Sequence, residues 1–512
     1  MKKINIVLIG AVLITFVLIV VLSKLSPTVY NTVGSEDLIG DVTDKIDDIN
    51  WDDYNNYEVE LDGSTYNISK PGIYTLNGNI SDGMISVNTS GNVKIILNGV
   101  NITNSTGPAI YVLNANNVEI SSTSDTTNVL KDGNTYNGFD TEVDGCIYSK
   151  SDLILSGNGT IYVYANYSDG IVSKDDLEFN GGTYYIDSKD DAIRGKDSVV
   201  INAGDFNITS LGVGIKSTND EDSERGFVLI KGGTIKIDAK KDGINASNYV
   251  VVKDGNITIN SSDDGIHADY SIVIDDGTTN ISKSYEGLEA SEITINGGVI
   301  NIVASDDGIN VAGGVNGSNL ESTFKSSSNK LTINGGVISV NANGDGLDAN
   351  GSIYINGGTI TVDGPTNNGN GTLDYDGEFK ISGGSLIGIG SSGMAMGASS
   401  SSTQISVLIN FDSTYSANTT VSIKDETGNE VASYTSKKSF SSLVVSNSKM
   451  ENNKTYYIYV NGKEYKSFTV QSTSVIVGNT MNMGVMMTNP NGNDRMNDGG
   501  DRRMMERGGM RK

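Results

Sequence analysis

Imidazole and thiol chemistry is almost absent from this sequence, which holds one histidine, His267, and one cysteine, Cys146. A single cysteine excludes a disulfide framework and any multi-cysteine metal site. A single histidine excludes Ser-His-Asp catalysis away from its own position and every zinc site that needs two imidazoles. Cationic side chains are also scarce, 36 Lys plus Arg against 62 Asp plus Glu. Such a chain repels nucleic acid and anionic membrane surfaces, and it attracts divalent cations. Proline is held to 5 residues while glycine reaches 62. Glycine suits turns and proline cannot donate to a strand ladder, so the balance favours a long all-β chain.

Residues 4–22 form an uncharged, mainly apolar run behind Lys2 and Lys3. At about 1.5 Å per residue a helix of that length reaches roughly 28 Å, enough for a hydrocarbon core of about 30 Å. Residues 1–25 therefore read as a signal anchor with the amino end inside, or as a cleaved signal, and the rest of the chain works outside the cytoplasm. Residues 26–50 read as an acidic linker.

From residue 51 to about 390 two markers repeat. The first is an acid before glycine: Asp144-Gly145, Asp169-Gly170, Asp191-Ala192, Asp242-Gly243, Asp264-Gly265, Glu286-Gly287, Asp307-Gly308 and Asp345-Gly346, with Val213-Gly214 in step. The second is a glycine before a strand: Gly182, Gly204, Gly233, Gly255, Gly277, Gly298, Gly336 and Gly358. Both advance by about 22 residues and share the same two longer intervals, which marks a solenoid. Twenty-two residues suit one coil of a parallel β-helix, three short strands joined by turns. Fragments such as Ile235-Lys236-Ile237 and Ile257-Thr258-Ile259 alternate as half-buried strands do. Asn296, Asn334 and Asn356 read as an internal structural ladder. Insertions at 217–225 and 312–329 follow the same strand and should form walls beside one surface. Residues 404–478 read as a small β-sandwich, and 479–512 as a disordered tail rich in Met, Gly and Arg.

Matching positions in neighbouring coils lie about 4.8 Å apart, so the acids form a column that repels by roughly 3.5 kcal/mol per adjacent pair at an effective dielectric of about 20. Oxygen ligands select a hard cation, and the candidate calcium residues are Asp169, Asp190, Asp191, Asp242, Asp263, Asp264, Glu286, Glu289, Asp306, Asp307, Asp345 and Asp348. The competing reading is a run of solvated Asp-Gly turns. Lys174, Arg194, Lys196 and Lys216 gather on the same face, as a groove for sugar carboxylates or as partners of the ladder acids. Tyr162 and Tyr185 share an outward column elsewhere, with Tyr164 beside them, and such rings stack on sugars or simply pack. His267 reads as an ordinary surface histidine.

The phrases Ile147-Tyr148-Ser149-Lys150-Ser151-Asp152-Leu153, Asp169-Gly170-Ile171-Val172-Ser173-Lys174 and Asp190-Asp191-Ala192-Ile193-Arg194-Gly195-Lys196 resemble a family of carbohydrate-binding right-handed parallel β-helices. These are bacterial and archaeal surface proteins similar in shape to polysaccharide (pectate) lyases. The likeness runs from about Tyr57 to the sandwich around Tyr456 and Tyr457. It implies right-handed winding, calcium between coils, and binding of cellulose-like and acidic plant polysaccharides. Val213 departs from it, standing where Asp-Gly-Ile-Lys is expected. The expected protein is thus a monomeric, extracellular, membrane-anchored polysaccharide binder. The alternatives are a calcium-dependent polyuronate lyase using one of the four basic residues as base, and an adhesin or structural surface protein.

Overall fold

Glycines in the second marker adopt backbone angles that other residues avoid. Gly182, Gly204, Gly233, Gly255, Gly277, Gly298, Gly336 and Gly358 all have positive φ, which only glycine takes at little cost. Most bend the chain between two strands of one repeat, as Gly255 does between Tyr249–Val252 and Asn256–Asn260, while Gly182 and Gly204 lie within the continuous strands Asp176–Ser188 and Ser198–Ser210. The computed structural model describes residues 49–312 and 329–479, all within one compact unit. The expected signal anchor, most of the linker, the longer insertion and the tail lie outside the described residues. Among the described residues the structure is all-β apart from a 3-10 turn at Trp51–Asp53, and no helix is long and apolar enough to cross a membrane.

A repeat contributes one short strand to a 13-stranded parallel sheet and two to a second sheet of 27 strands, the two being fused into one at Asp176–Ser188 and Ser198–Ser210. Strands pair with their counterparts one repeat away. Ile244–Ala246 aligns with Ile266–Ala268 through Ile244↔Ile266, Asn245↔His267 and Ala246↔Ala268. The same step carries Asn256–Asn260 onto Thr278–Ser284. Because register is kept, Ile171, Ile193, Ile215, Ile244, Ile266, Leu288, Ile309, Leu347 and Leu373 form one fully buried row. Burying a side chain of this size is worth about 1.5–3 kcal/mol, and the row repeats it at every step.

The asparagine ladder forms side chain to side chain: Asn334 Nδ2 donates to Asn296 Oδ1 at 2.8 Å and Asn356 Nδ2 to Asn334 Oδ1 at 2.9 Å. These residues are half-buried rather than internal. One expectation of alternation fails. In Phe227–Ile230 and Tyr249–Val252 every residue is buried, because Leu229 and Val251 join Val200 and Val273 in a second apolar cluster outside the main core. After the last repeat the pairing changes direction. Ser385–Gly390 pairs antiparallel with Phe440–Asn447, which also pairs with Ser406–Tyr415. A separate four-stranded sheet encloses a carboxy-terminal core around Phe411, Ile458 and Val477.

Candidate functional site

Outward residues of the 27-stranded sheet form straight columns. Tyr162, Tyr185, Asn207, Lys236 and Thr258 are register neighbours, and beside them run Tyr164, Asp187, Thr209, Asp238 and Asn260. The two columns line a groove of about 510 Å³. At its aromatic end the rings of Tyr162 and Tyr185 lie 4.7 Å apart at 9° to one another, and Tyr164 lies 6.3 Å from Tyr162. Stacking of consecutive rows makes this platform, since both rings follow the same backbone direction one repeat apart. Tyr164 and Tyr185 stay about 40% exposed. Asp187, Asp238 and Lys236 leave the groove slightly acidic.

The acid column occupies the corner before each short strand. Its carboxylates do more than repel. Asp169 Oδ1 accepts from the peptide N–H of Asp191 at 3.1 Å, Asp191 Oδ1 from Val213 at 2.8 Å, and Asp242 Oδ1 from Asp264 at 3.1 Å. Asp264 Oδ1 accepts from Glu286 N–H at 3.2 Å and Asp307 Oδ1 from Asp345 N–H at 2.6 Å. Each of these five acids therefore caps the corner of the next repeat, satisfying a donor that the strand ladder leaves free. At Val213 that cap is missing.

The basic residues fall into two groups. Arg194 is drawn into the column: Nε lies 2.6 Å from Asp169 and Nη2 2.6 Å from Asp144. Lys216 pairs with Asp191 at 3.2 Å, and Lys241 reaches Asp190 at 3.2 Å. Arg194 and Lys216 are thus partners of the column acids, one of the two readings their position allowed. Lys196 is exposed and Lys174 half-buried. Arg225, from the 217–225 insertion, does the same work one corner away, 2.7 Å from Asp176 and 3.6 Å from Asp197.

His267 also departs from expectation. It is half-buried rather than a surface side chain, between Glu289 at 2.7 Å, Asp264 at 3.6 Å and Asp269 at 3.1 Å. Burial opposes its charge, but hydrogen bonds to the three carboxylates override it and hold the imidazolium up to about 12. Asp263 lies beside Asp242 and Asp264, close enough for the three carboxylates to share an ion.

Toward the carboxy-terminal end the column has no basic partner among the described residues at Glu286, Asp307, Asp345 or Asp348. Burial, reinforced by neighbouring charge, raises Glu286 to about 8, Asp348 to about 7, and Asp307 and Asp345 to about 6. Asp306 lies beside Asp307 and interacts with Tyr285. Asn310 stands in the outward column between Glu289 and Asp348. Its Nδ2 donates to Glu286 at 2.9 Å, while its buried Oδ1 has no hydrogen-bond partner. Asn310 Oδ1 is thus an orphaned carbonyl oxygen beside Glu286, a donor of the kind a hard cation takes.

Residues 62–308 match a family model described as carbohydrate-binding domain-containing protein. That segment holds the whole tyrosine groove and the acid column from Asp144 to Asp307. A protein of the same description from Acetivibrio thermocellus is 36% identical over 148 residues, covering 27% of this chain and 51% of that protein. The chain thus spans about half the length of the curated relative it matches. A solved structure described as the polysaccharide lyase-like protein from C. thermocellum, gadolinium derivative, shares 32% identity over 43% of this chain and 96% of that one, with a TM-score of 0.41.

Proposed function

We propose that this chain is an extracellular, surface-anchored polysaccharide-binding protein, and that its winding is a right-handed parallel β-helix with calcium held between repeats. The observation that carries the reading is the parallel, stacked pair Tyr162 and Tyr185 at the head of the groove. Sugar rings offer flat C–H faces to aromatic rings, and the Asn207, Thr209 and Thr258 side chains beyond the tyrosines supply hydrogen-bond partners for hydroxyls. The family match over the same residues supports the class of ligand. The slightly acidic groove favours a neutral glucan of the cellulose type. An acidic plant polysaccharide such as pectin would engage Lys174, Lys196 and the calcium ions instead.

Glu286, Asp307, Asp345, Asp348 and the Asn310 carbonyl are the residues we assign to calcium, whose chemistry here is to neutralise the column and bind sugar carboxylates. A lyase would need an unpaired base beside that ion; Arg194 and Lys216 are already engaged, which leaves Lys174 and Lys196 for that role. Pull-down on insoluble cellulose and on calcium pectate, with and without chelator, tests the reading. Cellulose retention that ignores chelator and pectate retention that requires calcium would support it. Equal failure on both polymers would overturn it, and growth of ultraviolet absorbance with polygalacturonate would replace it by the lyase.

A further inference from the structure

The two nitrogens of the only imidazole face different surroundings. On the Nδ1 side, Glu289 Oε2 lies at 2.7 Å and Asp264 Oδ2 at 3.6 Å. One ligand atom each from Asp264, His267 and Glu289 converge within 4.8 Å. On the Nε2 side a single carboxylate, Asp269, sits at 3.1 Å. The stack builds this arrangement: His267 and Glu289 are register partners on adjacent strands, Asp264 holds the corner three residues earlier, and Asp269 the turn two residues later. An imidazole that ligates a metal needs this division, one nitrogen for the ion and the other N–H fixed by a carboxylate.

Charge points the same way. Three carboxylates and one imidazolium leave two negative charges uncompensated. A dication with a neutral imidazole leaves one. Asp242, at the preceding corner, interacts with both Asp264 and His267.

We propose that Asp264, His267 and Glu289 bind a divalent transition ion of the zinc class, with Asp269 as the positioning residue. As the ion enters, the Nδ1 proton leaves to solvent. Imidazole nitrogen suits zinc, copper, nickel and iron, whereas calcium and magnesium take oxygen. The column then carries two kinds of cation site, a nitrogen-containing one at His267 and an all-oxygen one around Asn310. Neither the polysaccharide reading nor the calcium assignment is needed for this inference. Three protein ligands also leave coordination positions for water.

The test uses the full chain, stripped with chelator and titrated with zinc in excess calcium. One zinc per chain should bind and resist displacement by calcium. His267→Ala should weaken it at least a hundredfold, and Asp269→Asn, which keeps all three ligands, about tenfold to a hundredfold. Copper-loaded protein should show nitrogen coupling from one imidazole by electron paramagnetic resonance, lost in His267→Ala. If that variant fails to fold, the parent copper spectrum and Asp269→Asn still decide. Displacement of zinc by calcium, absence of nitrogen coupling, or unchanged affinity in the variants overturns the proposal.

Discussion

Replacing Arg194 with alanine should destabilise the repeat stack, not merely subtract a ligand contact. Its side chain is 15% exposed and touches two carboxylates, one of which, on Asp169, is 4% exposed. Removing one partner of a buried pair strands the other charge and costs about 3–5 kcal/mol. Part of that cost is relieved by protonation. Burial already lifts Asp169 to about 7 with the guanidinium in place, and losing the guanidinium lifts it further. A carboxyl raised in the folded state contributes stability that is present below its unfolded pKa of about 4 and lost as pH rises through the folded value. The deficit of the variant should therefore be modest near pH 5.5 and large near pH 8.5. Urea unfolding followed by circular dichroism at both pH values would measure it, with hydrogen exchange on Ile193–Gly195 as a local reading in case the stack opens stepwise. Adding Asp169→Asn should recover part of the loss, because no buried charge is then left alone. A deficit below about 0.5 kcal/mol at pH 8.5, or one independent of pH, would show that Arg194 is a free surface cation.

Calcium should raise the melting temperature, and more at pH 8 than at pH 6, since Glu286 and Asp348 lose their protons across that window. Calcium at about a hundred times its dissociation constant adds about 2.7 kcal/mol, and coincident melts in calcium and chelator would remove the site. Tyr162→Ala with Tyr185→Ala should weaken cellulose binding about tenfold or more, the effect of about 1.4 kcal/mol. Unchanged retention would move the ligand elsewhere. Gly287→Ala should destabilise by about 1–3 kcal/mol or more, because its Cβ would fall 2.2 Å from Gly308 O and 2.4 Å from Ile302 Cγ2. A melt equal to the parent's would mean that adjacent repeats can spread.

The repeat was readable because its markers are backbone requirements. Only glycine tolerates the bend at Gly255 or Gly277, and Ile244, Ile266 and Leu288 must recur in step for a row of side chains to fill one core. The tyrosine pair was readable for the same reason, since register alone makes Tyr162 and Tyr185 neighbours. Lateral reach was not readable. A column places Arg194 beside Lys216, but only side-chain geometry sends its guanidinium back to Asp169 and Asp144. Arg225 acts from an insertion with no fixed period. His267 looked isolated because its three acids lie at three different offsets, two in its own repeat and one in the next.

The reversal of strand direction at the end of the stack limits how far the structure can grow. A parallel ladder of identical steps ends in a row of unpaired N–H and C=O groups, and the first repeat of another copy could continue it. Here the last long strand, Ser385–Gly390, is covered antiparallel by Phe440–Asn447. Over the final repeat, Tyr375 donates to the carbonyl of Gly397 and the N–H of Ser399 to that of Phe379. The carboxy-terminal module is in this sense a polymerisation stop, and a chain cut after residue 390 should add copies end to end into fibres.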